Sequence, residues 1–397
     1  MIKSLYIDNF KALNNFRIEM NPLTVLIGAN GSGKTSVLQA LDLIANFTKM
    51  DIDAYLDKRN WAAYDLKSKT NNNKHMVFRI LFGLDVSSNE EEIEWEFTLN
   101  PVKTKEKILV INERITNKKT QQILLSVTSQ GISRFNFQEN KEEIIPPLNM
   151  TSSFLKNIDI SRDKLKFPAL VALKEFFAAS DSFELLSTEK MRKSSRGDAD
   201  TIGMGGEKLA AFIHGLGIDQ KKNVSNRLQS YVPFIDDVDT EVKGRPGWIE
   251  IKVAENFRPE ARTVTINPAH VSDGILRMLA ISALIEIDKA SGIILLDEIE
   301  DGINPYLAGP VVNDLKEMSE SKQRQIVVTT HNSVMLDYFP EESIVFMWRD
   351  RDGVVNGHPM FSTQAMRDEL EYMYPGEVWI NMNEKEIVEK MLGEKQR

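Results

Sequence analysis

The sequence predicts an α/β fold: a mixed sheet around a phosphate-holding loop, with helices on both faces. Three observations carry that expectation. A buried-strand run, Leu23–Ile27, leads into Gly28-Ala-Asn-Gly-Ser-Gly33-Lys34-Thr35 and then into a segment with apolar residues at helical spacing through Ala45. A second apolar run, Gly292–Leu296, ends in Asp297-Glu298. A third, starting at Arg324, ends in His331-Asn332.

The glycine segment fits G-x-x-x-x-G-K-[ST] without a mismatch, in the strand–loop–helix context the pattern needs. Glycines let the backbone curl so that successive N–H groups face one anion. The helix start adds the positive end of its dipole. Asn30, Gly31, Ser32, Gly33, Lys34, Thr35 and Ser36 are therefore the expected nucleotide-binding set. Lys34 should reach the β- and γ-phosphates of ATP, and the Thr35 hydroxyl should ligate Mg²⁺. A carboxylate at the carboxyl end of a parallel strand sits beside such a loop. Asp297 is accordingly the expected second metal residue, acting through water, and Glu298 the expected catalytic base that polarises the attacking water. His331, after the next strand, is expected to sense the γ-phosphate.

Composition bounds the rest. The chain has 397 residues, 42% hydrophobic and 27% charged, which is ample for a sizeable core. Net charge is −9 and the pI is about 5.3, so contact with nucleic acid would need a local basic surface. The absence of cysteine removes disulfides, cysteine-ligated zinc and thiol catalysis, and suits a reducing cytoplasm. No secretory signal is expected from the charged amino terminus, and no run approaches the ~18 apolar residues of a membrane helix.

Lys34 and Asp297 lie 263 positions apart, so a large insertion separates the two halves of the site. Just before the acidic strand, Ser272-Asp273-Gly274 opens an apolar helix that runs to Ile285. A serine cap followed by a bare backbone is a second anion-ready helix start.

With these motifs in order, the chain resembles the ABC-type ATPase heads of the SMC and RecF kind, and most closely the bacterial AAA family ATPases related to the OLD proteins. The stretch from Leu5 to Leu41, with Asn9-Phe10-Lys11, resembles their amino-terminal lobe. Val271–Ile285 resembles the signature helix, with Ser272 and Gly274 at its key positions. Ile294–Pro305 resembles the acid strand and the E-x-E-x-G-x-H-P stretch, except that Asn304 stands where histidine is usual. The resemblance implies a P-loop NTPase fold of the ABC-head type, with a β-rich N-terminal lobe and a compact helical insertion. It implies Lys11 as a further nucleotide contact. It also implies a homodimer or higher homo-oligomer in which Ser272 and Gly274 of one chain meet the phosphates held by Lys34 of another. A separately encoded effector, such as a nuclease, is the implied partner, with bacterial anti-phage defence as the setting. Direct action on DNA in repair or chromosome maintenance is the alternative, and a nuclease with its acids in the tail is a third reading. The glutamine of a Q-loop stays open among Gln122, Gln130 and Gln138.

The expected division is an N-terminal ATPase lobe over 1–149, a helical insertion over 150–231, a C-terminal ATPase lobe over 232–348 and a helical tail over 349–397. Residues 46–75 read as a polar surface loop, and 76–137 as antiparallel strands. No heptad run persists, so long coiled-coil arms are not expected. Lys190, Arg192, Lys193 and Arg196 form a basic cluster that either touches phosphate or is simply solvated. Lys103, Lys105 and Lys107 alternate along a strand-like stretch. Forty-nine residues follow Trp348, fewer than the roughly hundred a Toprim nuclease domain would need. Asp350 and Asp352 read as a turn rather than a metal pair, and Tyr372, Tyr374, Trp379 and Met382 as a satellite core or a docking surface.

Overall fold

The protein is seen in a computed structural model that describes residues 1–86, 88–102, 107–183, 188–245, 247–256, 264–289 and 291–393. Among these residues the strands are β1 (Ile2–Asp8), β2 (Phe16–Glu19), β3 (Leu23–Ile27), β4 (Met76–Val86), β5 (Asn89–Val102), β6 (Lys107–Asn117), β7 (Ile123–Thr128), β8 (Gly131–Asn136) and β9 (Lys141–Ile145). They continue with β10 (Asp181–Phe183), β11 (Ile235–Lys243), β12 (Trp248–Glu255), β13 (Val264–Ile266), β14 (Ile293–Leu296), β15 (Gln325–Thr329), β16 (Ile344–Arg349) and β17 (Val355–Pro359). An eight-stranded antiparallel sheet runs β2-β1-β4-β5-β6-β7-β8-β9, a six-stranded sheet runs β10-β14-β15-β3-β16-β17, and β11-β12-β13 form a small third sheet. In the six-stranded sheet every neighbouring pair is parallel except β16 with β17.

The parallel sheet organises the molecule. Its strands are buried on both faces, which is why they read as continuous apolar runs. Alternate side chains serve two different cores. Leu26, Leu295, Val327 and Met347 face one core, shared with the antiparallel sheet, α1 (Lys34–Phe47) and α2 (Ile52–Arg59). Helix α3 (Pro168–Ala178) completes that layer. Val25, Ile27, Leu296, Val328 and Phe346 face the other core. That face is covered by α4 (Thr188–Met191), α5 (Leu209–Gly215), α6 (Ile218–Tyr231), α7 (Asp273–Ile285) and α8 (Ala308–Ser321). No described helix exceeds 14 residues, so none forms a long arm.

Two segments differ from expectation. The stretch expected as a polar loop contains α2, with Tyr55 and Leu56 buried. Its anchor is Asp42 on α1, which accepts from Tyr55 Oη at 2.6 Å and from Arg59 Nε at 3.0 Å. The helix is held by that buried contact more than by its own weak amphipathic pattern. The stretch 150–231 is largely helical, but it is stitched into both larger sheets. Strand β10 extends the parallel sheet beside β14, and Ser153 and Phe154 bond to Glu113 of β6.

The tail packs α10 (Gln364–Glu369), α11 (Pro375–Asn381) and α12 (Glu384–Leu392) around the second core, with α11 seated on α9 (Ser333–Leu336) of the preceding lobe. Gly376 donates its N–H to Asp337 at 2.8 Å, and a Cβ at Gly376 would fall 1.9 Å from the Ser333 carbonyl oxygen. Only a glycine lets α11 approach α9 that closely. Trp379 and Met382 pack against this core, whereas Tyr372 and Tyr374 stay 82% and 66% exposed.

Glu113 is fully buried and accepts from Trp95 Nε1 at 3.0 Å, from Phe154 N at 2.8 Å and from the Ser153 hydroxyl. Burial nevertheless pushes its carboxyl up to about 7, against the opposing pull of these donors. Its folded value therefore lies above its unfolded one. The stabilisation is complete below the unfolded value and is lost as pH rises through the folded one. We expect the stability of the parent relative to Glu113→Gln to be greatest near pH 4 and to fall by about 3 kcal/mol by pH 8, read from unfolding midpoints of both proteins across that range.

Candidate functional site

The site lies where β3, β14 and β15 end together. Strand β3 stops at Ile27 and the glycine loop turns out of the sheet. Gly28 has φ +140°, and a Cβ there would fall 2.0 Å from the carbonyl oxygen of Met347. Gly33 has φ +101°, and its Cβ would fall 2.8 Å from Val355. Both positions are closed to any side chain, so the loop is a bare backbone cradle. Ser32 Oγ is buried within it and has no hydrogen-bond partner among the described residues. Lys34 opens α1 and is buried. Its ammonium folds back to donate to the carbonyls of Gly28 at 2.8 Å and Ala29 at 3.0 Å. Burial lowers its pKa, and the charges of Asp297, Glu298 and Glu300 pull it back up.

Across the cleft, β14 delivers Asp297 and Glu298. Thr329, at the end of β15, orders them: its Oγ1 donates to Asp297 at 2.6 Å and accepts from the Glu298 N–H at 2.8 Å. Glu298 sits at φ +47°, a left-handed conformation that a non-glycine residue holds only when its surroundings fix it. Its carboxyl is raised, first by burial and next by the charge of Asp297, while His331 opposes the shift. A carboxylate lifted in this way is better matched to accept a proton near neutrality. The His331 N–H donates to Glu300 Oε1 at 2.5 Å, and the other oxygen of Glu300 is buried without a partner among the described residues.

One cleft of about 280 Å³ thus gathers Asn30, Gly31, Gly33, Lys34, Thr35, Ser36, Asp297, Glu298 and His331. It also brings in Thr329, Ala12 and Arg349, which sequence reasoning did not single out. The bare cradle, the orphaned Ser32 hydroxyl and the buried cation fit the phosphates of a nucleotide. Thr35 and Asp297, both on this cleft, offer oxygen ligands of the kind Mg²⁺ takes.

Lys11 is placed elsewhere. Its ammonium bonds Gln39 Oε1 at 2.7 Å and lies 3.4 Å from the centroid of the Trp61 ring, and it is not among the residues lining the cleft. Gln122, Gln130 and Gln138 do not line the cleft either. Ser272 and Gly274 line a separate cleft of about 340 Å³ with Tyr231, Met278, Asn304 and Tyr306. Ser272 caps α7 by accepting from Ile275 N at 3.4 Å, and Asn304 caps its own turn by accepting from Tyr306 N at 3.1 Å. A single chain therefore does not bring the serine cap to Lys34.

The basic cluster is dispersed. Arg192 pairs with Asp273 at 2.6 Å and donates to the Val271 carbonyl at 2.6 Å. Arg196 lies 3.7 Å over the ring of Trp248, and Lys190 packs on Gly205. Lys103 and Lys105 lie outside the described residues, while Lys107 is exposed on β6. Asp350 Oδ1 accepts from Asp352 N at 3.0 Å and Val354 N at 2.9 Å, which makes the acidic pair a turn.

A strand–glycine loop–helix with an acidic strand two places away in a parallel sheet defines a P-loop NTPase fold. The chain belongs to the AAA_21 family of AAA domains over residues 23–337, a family whose description carries the AbiEii toxin of type IV toxin–antitoxin systems as a candidate member. It is 43% identical over 44 residues to the OLD nuclease of Thermus scotoductus, a match spanning 11% of this chain and 8% of that protein. An SMC head solved with the C-terminal winged-helix domain of ScpA matches with a TM-score of 0.54 at 16% identity, over 92% of this chain and 99% of that one. The Pyrococcus furiosus SMC head bearing an extended coiled coil, bound to the C-terminal domain of ScpA, gives 0.55 at 14% identity over 93% and 99%. These likenesses establish an OLD/SMC-like AAA ATPase fold. No described helix is long and apolar enough to cross a membrane.

Gly28→Ala must push a methyl into the Met347 carbonyl at an unfavourable φ. We expect a loss of about 2 kcal/mol in stability on chemical denaturation.

Proposed function

We propose that this chain binds and hydrolyses MgATP in the cleft between the glycine loop and the Asp297–Glu298 strand, and that two copies close around the nucleotide to gate a partner protein. One observation carries the reading: a buried lysine under a glycine cradle faces a raised glutamate and a histidine across a single cleft. The backbone N–H groups of residues 30–35 bind the phosphates, and Lys34 exchanges its two loop carbonyls for phosphate oxygens. Thr35 and Asp297 are the residues that would hold Mg²⁺, whose charge offsets that of the phosphates when bound. Thr329 fixes the acid pair, Glu298 takes the proton of the attacking water, and His331 meets the γ-phosphate from the β15 side.

The second helix start supports the two-chain arrangement. Ser272 and Gly274 present an anion-ready turn that the chain's own loop does not use, so a second copy is the source of the phosphate it meets. The relatives lend support to a partner of this kind: an OLD nuclease shares 44 residues of sequence, and a solved SMC head is bound to the C-terminal winged-helix domain of ScpA. A separately encoded effector, a nuclease among the candidates, in a cytoplasmic anti-phage system is the biological role we assign. Direct action on DNA draws less support, because Arg192 and Arg196 are engaged within the chain.

Lys34→Ala should abolish MgATP binding in equilibrium titration. Glu298→Gln should keep binding, turn over at least ~100-fold more slowly and accumulate a dimer on size-exclusion chromatography with MgATP. Parental turnover in Glu298→Gln removes its role as base. Mixing Lys34→Ala with Ser272→Ala chains should restore part of the activity, and no recovery at any ratio would count against sharing between chains. Because Glu298 must be ionised to act and its pKa is raised, turnover should climb with pH through that raised value, and this limb should vanish in Glu298→Gln.

A further inference from the structure

Strand β16 ends in Arg349, a residue for which the motifs give no role. Its Nε donates to the carbonyl of Gly31 at 2.6 Å, and the side chain lines the cleft beside Lys34 and Thr35. An arginine carries a permanent charge on a rigid fork of donors. The bond to Gly31 uses one arm and fixes the fork, while the two terminal nitrogens have no carboxylate partner among the described residues. The side chain is exposed to solvent, so its charge is open to a ligand that enters the cleft.

The support beneath Arg349 is rigid. Arg349 and Val355 are cross-strand partners in the β16–β17 hairpin, and both touch the glycine loop: Arg349 at Gly31 and Val355 under Gly33. Asp350 closes the turn between them by accepting two backbone N–H groups. The backbone of Arg349 is thus set by the hairpin, and the single bond from Nε to Gly31 turns the guanidinium toward the cleft. The charge balance of the cleft gives it work. Asp297, Glu298 and Glu300 set three carboxylates around the one buried ammonium of Lys34, so even with Mg²⁺ held at Thr35 and Asp297 a further cation beside the phosphates is favourable.

We propose that Arg349 is a phosphate-binding residue, a second cation supplied by the same chain that grips the triphosphate through its terminal nitrogens. Charge-assisted, forked contacts of this kind are the strong ones, and they weaken with salt. The inference rests on the nucleotide reading of the cleft. The test titrates the full chain with MgATP at low and high salt, using the parent, Lys34→Ala, Arg349→Met and Arg349→Lys. Arg349→Met should lose about tenfold or more in affinity, with a shallower salt dependence and an unchanged melting temperature without ligand. Arg349→Lys should recover part of the loss, because the charge remains and the fork does not. Parental affinity in Arg349→Met overturns the proposal. So does an equal loss in both Arg349 variants with a lowered ligand-free melting temperature, since that pattern marks a brace for the loop. A parent that binds no MgATP, or a Lys34→Ala chain that binds as the parent does, overturns the nucleotide reading itself and this role with it.

Discussion

The structure turns on one buried cation. Lys34 is 5% exposed, and within its own loop it finds only the carbonyls of Gly28 and Ala29. Burying an ammonium costs free energy unless charge of the opposite sign is near. The compensating acids cannot come from the loop, whose glycines carry no side chains. They arrive from Asp297 and Glu298, 263 and 264 positions away, because β14, β15 and β3 lie side by side and end at the same edge. The parallel sheet brings the two sets of charge together, and the segments between them need only close the connection.

That requirement explains the two cores. A parallel strand is buried on both faces, so each of the central strands feeds apolar side chains in both directions. On one side α1 and the antiparallel sheet take up Leu26 and Val327, and on the other α7 and α8 take up Val25 and Val328. The helix that starts at the phosphate loop and the helix that starts at Ser272 thus lie on opposite faces. Each helix start is fixed by a different core, which keeps the two anion-ready turns in separate clefts.

The parts of the site that depend on local backbone chemistry were legible in the sequence. Gly28 to Thr35, the Asp297-Glu298 pair at the end of an apolar run and the Ser272 cap each carry their signal within a few residues. The missing parts depend on tertiary neighbours. Strand β10 is three residues, Asp-Ser-Phe, and becomes a strand only by pairing with β14. Helix α2 has a weak pattern of its own and exists through Asp42. Arg349 opens an Arg-Asp-Arg-Asp-Gly run that reads as a solvated turn, and that turn does form. Nothing in the run indicates that its first residue leans back onto Gly31. Lys11 shows the converse: a motif position marked it for the nucleotide, but a neighbouring aromatic ring and Gln39 hold its charge. Thr329 carries no signal in the sequence, because its part in the cleft depends on bridging both acids.

The separation of the clefts bears on how nucleotide occupancy could be felt beyond the site. The cap at Ser272 already accepts a hydrogen bond from Ile275, but at 3.4 Å it is a long one, and the first-turn acid Asp273 is neutralised by Arg192. Left unpaired, Asp273 would repel any phosphate brought to that turn. Pairing it lets the helix dipole and the bare Gly274 act on an incoming anion. Arg192 comes from the stretch between α4 and β11, so the readiness of the second cleft depends on the packing of the inserted segment. A contact that moved this segment would change the charge at the cap without touching the glycine loop. The 150–231 segment is thereby tied to the second cleft through one ion pair, Arg192 with Asp273.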